Sequence, residues 1–253
     1  MEPGTTKLSY SAAWDDAMAL LKAHGALIAA LAGALVFLPT LLTGYLLPRP
    51  VVNDAAEWLP RLNEYYLANW YWFLLAGLVT MVGTVAILLL VFAPRGTSVG
   101  AAIARAVAFV PTYLVASLAA GFLIGFGLIL LIVPGLYLFG RLAILGPVVV
   151  AEERRNPFAA IGRTFAVTKG NGWRILGLIF LTGVAGYIAA GVVNMATGIL
   201  FTLLAGKDLG ALLAMIVASA TYSAVAIVFL LLYAAIYRQL AGPTASATAA
   251  VFD

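Results

Sequence analysis

Long apolar runs separated by short charged or Pro/Gly-rich intervals dominate the chain, over residues 26–47, 69–93, 106–133, 136–151, 172–204 and 209–237. Runs of this kind predict membrane-crossing helices, since a bilayer core of about 30 Å needs roughly 20 apolar residues. Two runs have unusual lengths. The fourth rises only about 24 Å, so its start is expected inside the membrane; the fifth would rise about 50 Å, so a break near Asn194–Gly198 with an interfacial continuation is expected. Between the first two runs, residues 48–68 form an outer loop. Trp58, Tyr65 and Tyr66, followed by Trp70, Tyr71 and Trp72, read as an aromatic belt at the membrane–water boundary. Residues 239–253 are rich in Ala and Thr without an apolar period, and are expected to be a disordered tail.

Composition removes the soluble alternative: 64% of residues are hydrophobic and 9% charged, against roughly 25% charged in soluble domains. The basic residues set the orientation. Lys7, Lys22, Arg95, Arg105, Arg154, Arg155, Arg163, Lys169, Arg174 and Arg238 fall on one side of a six-crossing layout, and Arg49, Arg61 and Lys207 on the other. Both termini are therefore expected in the cytoplasm. The net charge of +4 is absorbed by this bias, so no nucleic-acid partner is inferred. The first 24 residues lack the pattern of a cleaved signal peptide, which makes the first crossing an uncleaved anchor.

Self-comparison aligns three stretches: SYSAAWDDAMA from Ser9, SVGAAIARAVA from Ser98 and NPFAAIGRTFA from Asn156. Ser9, Ser98 and Asn156 share a helix N-cap column, and Ala13, Ala102 and Ala160 another. Each stretch reads as a short amphipathic helix in the headgroup plane. In the third, Phe158, Ile161 and Phe165 make the apolar stripe with Arg163 off it; in the first, Trp14, Met18 and Leu21 do so with Asp15, Asp16 and Lys22 facing away. The predicted fold is thus an all-α integral membrane protein of six transmembrane helices. Its single domain, residues 1–238, is expected to hold three parallel pseudo-repeats, about 9–93, 98–151 and 156–237, each an interfacial helix plus a transmembrane hairpin.

Candidate chemistry is sparse. The chain has no cysteine and one histidine, His24, and no nucleophile, metal-ligand or phosphate-loop motif occurs. No enzyme activity, metal or cofactor is expected. Arg141 stands inside an apolar run with no acidic residue inside any crossing to pair with it, so backbone carbonyls, a lipid phosphate or water must meet it. Pro134 and Gly135 interrupt the same run and suggest a turn there. Ser117, Gly121 and Gly125, and Ala190, Asn194 and Gly198, form small-xxx-small rows for helix packing. Glu152 and Glu153, like Asp15 and Asp16, read as solvated faces, because neighbours on a helix diverge by about 100°. Arg141, Pro134, Gly135 and Asn194 are the candidate ligand-binding residues.

The stretch PGLYLFGRLAILGPVVVAEERRNPFAAIGRTFAVTKGNGWRILGL, from Pro134 to Leu178, resembles the YciC-like bacterial inner-membrane proteins. It also resembles the related membrane domain attached to some glycerophosphodiester phosphodiesterases. Pro134, Gly135, Arg141, Glu152, Thr168, Lys169, Gly170, Asn171 and Trp173 carry the resemblance. It implies a bacterial inner-membrane location and the six-crossing fold; no soluble catalytic domain accompanies it here, so hydrolase activity is not implied. The expected function is binding or translocation of a lipid, anionic lipids included, or of another amphiphile. The alternative is a structural or accessory role serving the bilayer, a protein partner or a homo-oligomer.

Overall fold

The computed structural model describes residues 7–47, 50, 52, 54, 56–92 and 97–242. Arg49, Asn53, Arg95 and the tail beyond 242 lie outside the described residues. Those described contain only helical secondary structure. α1 (Tyr10–Ala32) passes through a π-helical stretch (Gly33–Phe37) into α2 (Leu38–Leu46). The π turn has a local cause. Pro39 brings no N–H for the carbonyl four residues back, and Leu38 N–H reaches Gly33 instead, the i→i−5 pattern of a π turn. α3 (Trp58–Phe92) and α4 (Val99–Leu130) follow, then α5 (Ile132–Leu142), α6 (Leu145–Ala151), α7 (Pro157–Val167) and α8 (Gly172–Ala241). Five helical segments, Tyr10–Leu46, Trp58–Phe92, Val99–Leu130, Ile132–Ala151 and Gly172–Ala241, are long and apolar enough to cross a membrane.

α8 is two arms. Gly206 adopts φ 77°, ψ 179°, left of what an L side chain tolerates, and the second arm returns along the first. A methyl group on Gly210 would stand 2.7 Å from the Phe201 carbonyl oxygen, and one on Gly186 would touch Val225 at 3.4 Å. The expected break at Asn194–Gly198 does not occur. The first arm is helical throughout and turns only at Gly206.

Other sequence expectations shift in register. The turn before the fourth crossing falls at Leu131, whose φ −157° and ψ 133° are extended, so Pro134 and Gly135 occupy the first turn of α5. Proline is tolerated there because its missing N–H would have had no intrahelical partner. The fourth crossing thereby gains length to 20 residues, Ile132–Ala151, about 30 Å. The supposed outer loop is helical from Trp58 onward, and Gln239–Ala241 continue α8 instead of starting a tail. Packing on α4 uses Ala116, Ala120 and Gly127, all buried, whereas Gly121 and Gly125 have nothing within 4 Å of where a Cβ would stand.

The three N-caps form as read. Ser9 accepts from Ala12 N–H, Ser98 from Ala101 N–H, and Asn156 from Phe158 and Ala159 N–H. Only the third stretch, α7, is a separate helix; the other two run unbroken into the following crossing. Counting from each cap, positions four, eight and eleven are buried in every case: Ala13, Ala17 and Leu20; Ala102, Ala106 and Phe109; Ala160, Thr164 and Val167. At positions four and eight small residues thus face the bundle, where they let backbones approach. The bulky stripes divide: Phe158, 69% exposed, and Trp14, 42%, turn out, whereas Ile161 is buried and Phe165, Met18 and Leu21 pack against the core. Lipid is as apolar as a protein core, so large side chains lose nothing by facing it.

Candidate functional site

One end of the bundle is a polar joint. The start of α1, the α6–α7 turn, α7 and both ends of α8 meet there. Leu8 N–H donates to Asn171 Oδ1 at 3.0 Å, Ser9 N–H to Gln239 Oε1 at 3.0 Å, and Arg174 Nη1 to the Leu8 carbonyl at 3.3 Å. Arg238 pairs with Asp16 at 3.3 Å. Arg141 belongs to this joint. Its Nε donates to Thr168 Oγ1 at 3.2 Å and its Nη2 to the Phe165 carbonyl, while its guanidinium lies 4.8 Å from the Phe165 ring centroid. Phe165 O belongs to the last turn of α7, where carbonyls lack helical donors and a cation is favourable. Of the partners open to Arg141 in the sequence, backbone carbonyl is the one observed.

Next to it, Glu152 gathers partners the sequence did not disclose. α6 ends in a paired cap, with Arg154 N–H donating to Val149 O at 3.0 Å and Glu153 N–H to Val150 O at 3.3 Å. This requires Glu153 at φ 48°, a left-handed conformation normally taken by glycine. The turn sends Glu152 inward and Glu153 outward. Glu152 accepts from Arg163 Nε at 2.8 Å, Arg154 Nε at 2.8 Å and Tyr237 Oη at 3.2 Å. Burial pushes its carboxyl up, but the hydrogen bonds and charges of Arg163 and Arg154 outweigh this and hold it below its ordinary value. Glu153 instead meets Arg105 at 2.8 Å at the surface. The reading of both carboxylates as solvated thus fails for Glu152, and Arg163 is its ion-pair partner, not a residue free to meet headgroups.

The other half of the bundle is open. Between α2, α3 and the second arm of α8 lies a cleft of about 690 Å³ lined by Thr40, Thr43, Tyr65, Thr80, Ser219 and Tyr222 among others. It shares Thr80 and Tyr222 with a deeper cavity of about 200 Å³ that reaches Thr84, Tyr113 and Tyr233. One helical turn past Tyr233, Tyr237 meets Glu152. Hydroxyl groups therefore line the interior from the open half toward the polar joint. On the outer side the cleft shares Pro39, Thr43, Leu47 and Ala76 with an apolar groove of about 310 Å³ walled by Leu38, Leu42, Trp72 and Leu75.

The four candidate residues are not gathered into one site. Arg141 sits beside Gly172, where a methyl group would come within 2.9 Å of its Cγ, and Asn194 lies about 33 Å further along α8. The Asn194 carboxamide oxygen is buried without a hydrogen-bond partner. Pro134 is exposed and Gly135 buried against Leu128. The cleft residues carried no pattern beyond hydroxyls scattered in apolar runs; the helical spacing of Thr40 with Thr43, and of Thr80 with Thr84, was the one available signal. No family model, curated protein or solved structure matches this chain.

Proposed function

We propose that this chain is a non-catalytic membrane protein that binds a lipid or other amphiphile, or helps move one, with the ligand in the cleft between α2, α3 and the second arm of α8. The observation that carries the reading is the adjacency of a hydroxyl-lined cleft and an apolar groove sharing one wall, a pairing that suits a polar head and an acyl chain. Arg141 donates through Nε to Thr168 and through Nη2 to the Phe165 carbonyl, and so serves the joint. Gly77 lines the cleft with nothing within 4 Å of its Cβ position, so Gly77→Trp fills the cleft while sparing the helix. In native mass spectrometry of detergent-extracted protein, the unsubstituted chain should retain lipid and Gly77→Trp should lose most of it. Equal retention by both removes the ligand from this cleft; no retained lipid with a co-purifying protein supports an accessory role instead.

The same reading places the polar joint in the cytoplasm of a bacterium, in an inner membrane crossed six times, in keeping with the YciC-like resemblance. The shared burial register after Ser9, Ser98 and Asn156 supports a threefold repeat. Lys207 at the α8 turn and Lys169 at the joint are both exposed and should lie on opposite sides. Lys207→Cys should react with an impermeant maleimide in intact cells, and Lys169→Cys only after permeabilisation. Labelling of Lys169→Cys in intact cells reverses the topology. Lys169 is preferred to neighbouring Gly170, whose φ of 76° a cysteine would strain.

A further inference from the structure

We infer that the head of the bound amphiphile is uncharged and bears hydroxyl groups, as in a diacylglycerol; the inference rests on the amphiphile reading and names the chemistry of its ligand. Among the described residues lining the cleft and the adjoining groove there is no Lys, Arg, His, Asp or Glu. These residues thus offer no counter-charge to an ionic head, phosphate or ammonium, that gave up its hydration to enter.

The hydroxyls in the cleft also have a bias. Thr40 Oγ1 donates to the Val36 carbonyl at 2.7 Å, and Thr43 Oγ1 to the Pro39 carbonyl at 2.8 Å. A threonine hydroxyl has one proton and two lone pairs, so with the protons spent on their own helix, both oxygens offer only lone pairs to the cleft. They call for a donor. An ionised phosphate oxygen can only accept, and would face these lone pairs; a hydroxyl can donate to Thr40 and Thr43. It can also accept from Thr80, Ser219 or Tyr222 on the facing helices. The apolar groove beginning at Thr43 takes an acyl chain from the same molecule, its exposed Leu38, Leu42 and Leu75 side chains being the surface such a chain covers.

The test uses the full chain in phosphatidylcholine nanodiscs, labelled with a photoactivatable diacylglycerol and challenged with three competitors of matched chains: diacylglycerol, phosphatidic acid and a long-chain alkylamine. Diacylglycerol should displace the probe at a concentration at least about tenfold below the other two. The double variant Thr40→Val/Thr43→Val keeps side-chain shape and should weaken diacylglycerol binding by about tenfold, as the loss of hydrogen bonds to the head implies. Specific labelling that phosphatidic acid or the amine displaces as well as diacylglycerol does, or that survives the double variant unchanged, overturns the head-group assignment alone. Labelling that is unaffected by Gly77→Trp shows that no amphiphile occupies the cleft, and both readings fall together.

Discussion

Replacing Glu152 by alanine is expected to cost about 2–3 kcal/mol of stability, while the same change at Glu153 costs less than about 0.5 kcal/mol. The side chains of Glu152 and Arg163 are 17% and 28% exposed, so neither is well hydrated when its partner is removed. Arg154, at 36%, recovers more water, and for that reason the estimate sits below the 3–5 kcal/mol typical of a fully buried pair. Tyr237 would lose its acceptor as well. Glu153 and Arg105 are 64% and 49% exposed, and solvent already screens them. Thermal unfolding in detergent should show a midpoint about 5–10 °C lower for Glu152→Ala and almost none for Glu153→Ala; equal shifts would mean that the joint is not held by Glu152. The pH dependence has a definite sign. A carboxyl held below its ordinary 4.5 contributes its full stabilisation above that value and loses it as pH falls through the folded-state value. Acid should therefore destabilise the parent protein below about pH 4.5 more steeply than Glu152→Gln, which has no proton to take up there.

Gly135→Ala should be at least as damaging, by about 2–3 kcal/mol or more, whereas Gly125→Ala, ten residues away, should be neutral or stabilising by up to about 0.5–1 kcal/mol. A Cβ on Gly135 would stand 2.5 Å from both the backbone nitrogen and Cγ of Leu128. The backbone nitrogen cannot rotate away. Gly127 meets Gly135 from the other side, with its own Cβ position 3.0 Å from the Gly135 Cα, so α4 and α5 cross at a point where neither helix has room for a methyl group. Gly125 faces open space, and there alanine only improves helix propensity. Thermal melts of both variants, with lipid retention measured in parallel, separate packing from binding. Gly135→Ala should lose stability but retain lipid in proportion to the folded fraction, because the cleft lies among other helices. A stable Gly135→Ala that has lost its lipid would return Gly135 to the binding site.

The apolar segments and the three N-caps were legible because they depend on local chemistry: a run long enough for the bilayer, or a Ser or Asn before free N–H groups. Which face of each helix turns inward was not. The stripes through Phe158 and Trp14 read as faces lying in the headgroup plane, yet Ile161, Phe165, Met18 and Leu21 of the same stripes pack into the bundle beside Ala13, Ala102 and Ala160, whose small size permits close approach. The excess length of the first arm of α8 was visible, but a break at Asn194–Gly198 was not needed, since a glycine able to adopt a left-handed turn stood at 206. Glu152 was hidden for another reason. Its inward direction is set by the left-handed Glu153, and its partners Arg163 and Tyr237 lie 11 and 85 residues away. The hydroxyl cleft draws on α2, α3 and α8, and no single stretch of sequence displays it.

The ties that hold the beginning of the chain also set an order of assembly. Leu8 and Ser9 find their partners 163 and 230 residues later, and Asp16 waits for Arg238. At translation rates of roughly 5–20 residues per second, α1 spends on the order of 10–45 s in the membrane before the second arm of α8 has emerged. Until then the amide of Ser9 and the carboxylate of Asp16 must be satisfied by water or headgroups at the surface. The last dozen residues of α8 thus act as the closing step of folding, and a chain that stops short of Arg238 would be inserted yet left open at the polar joint.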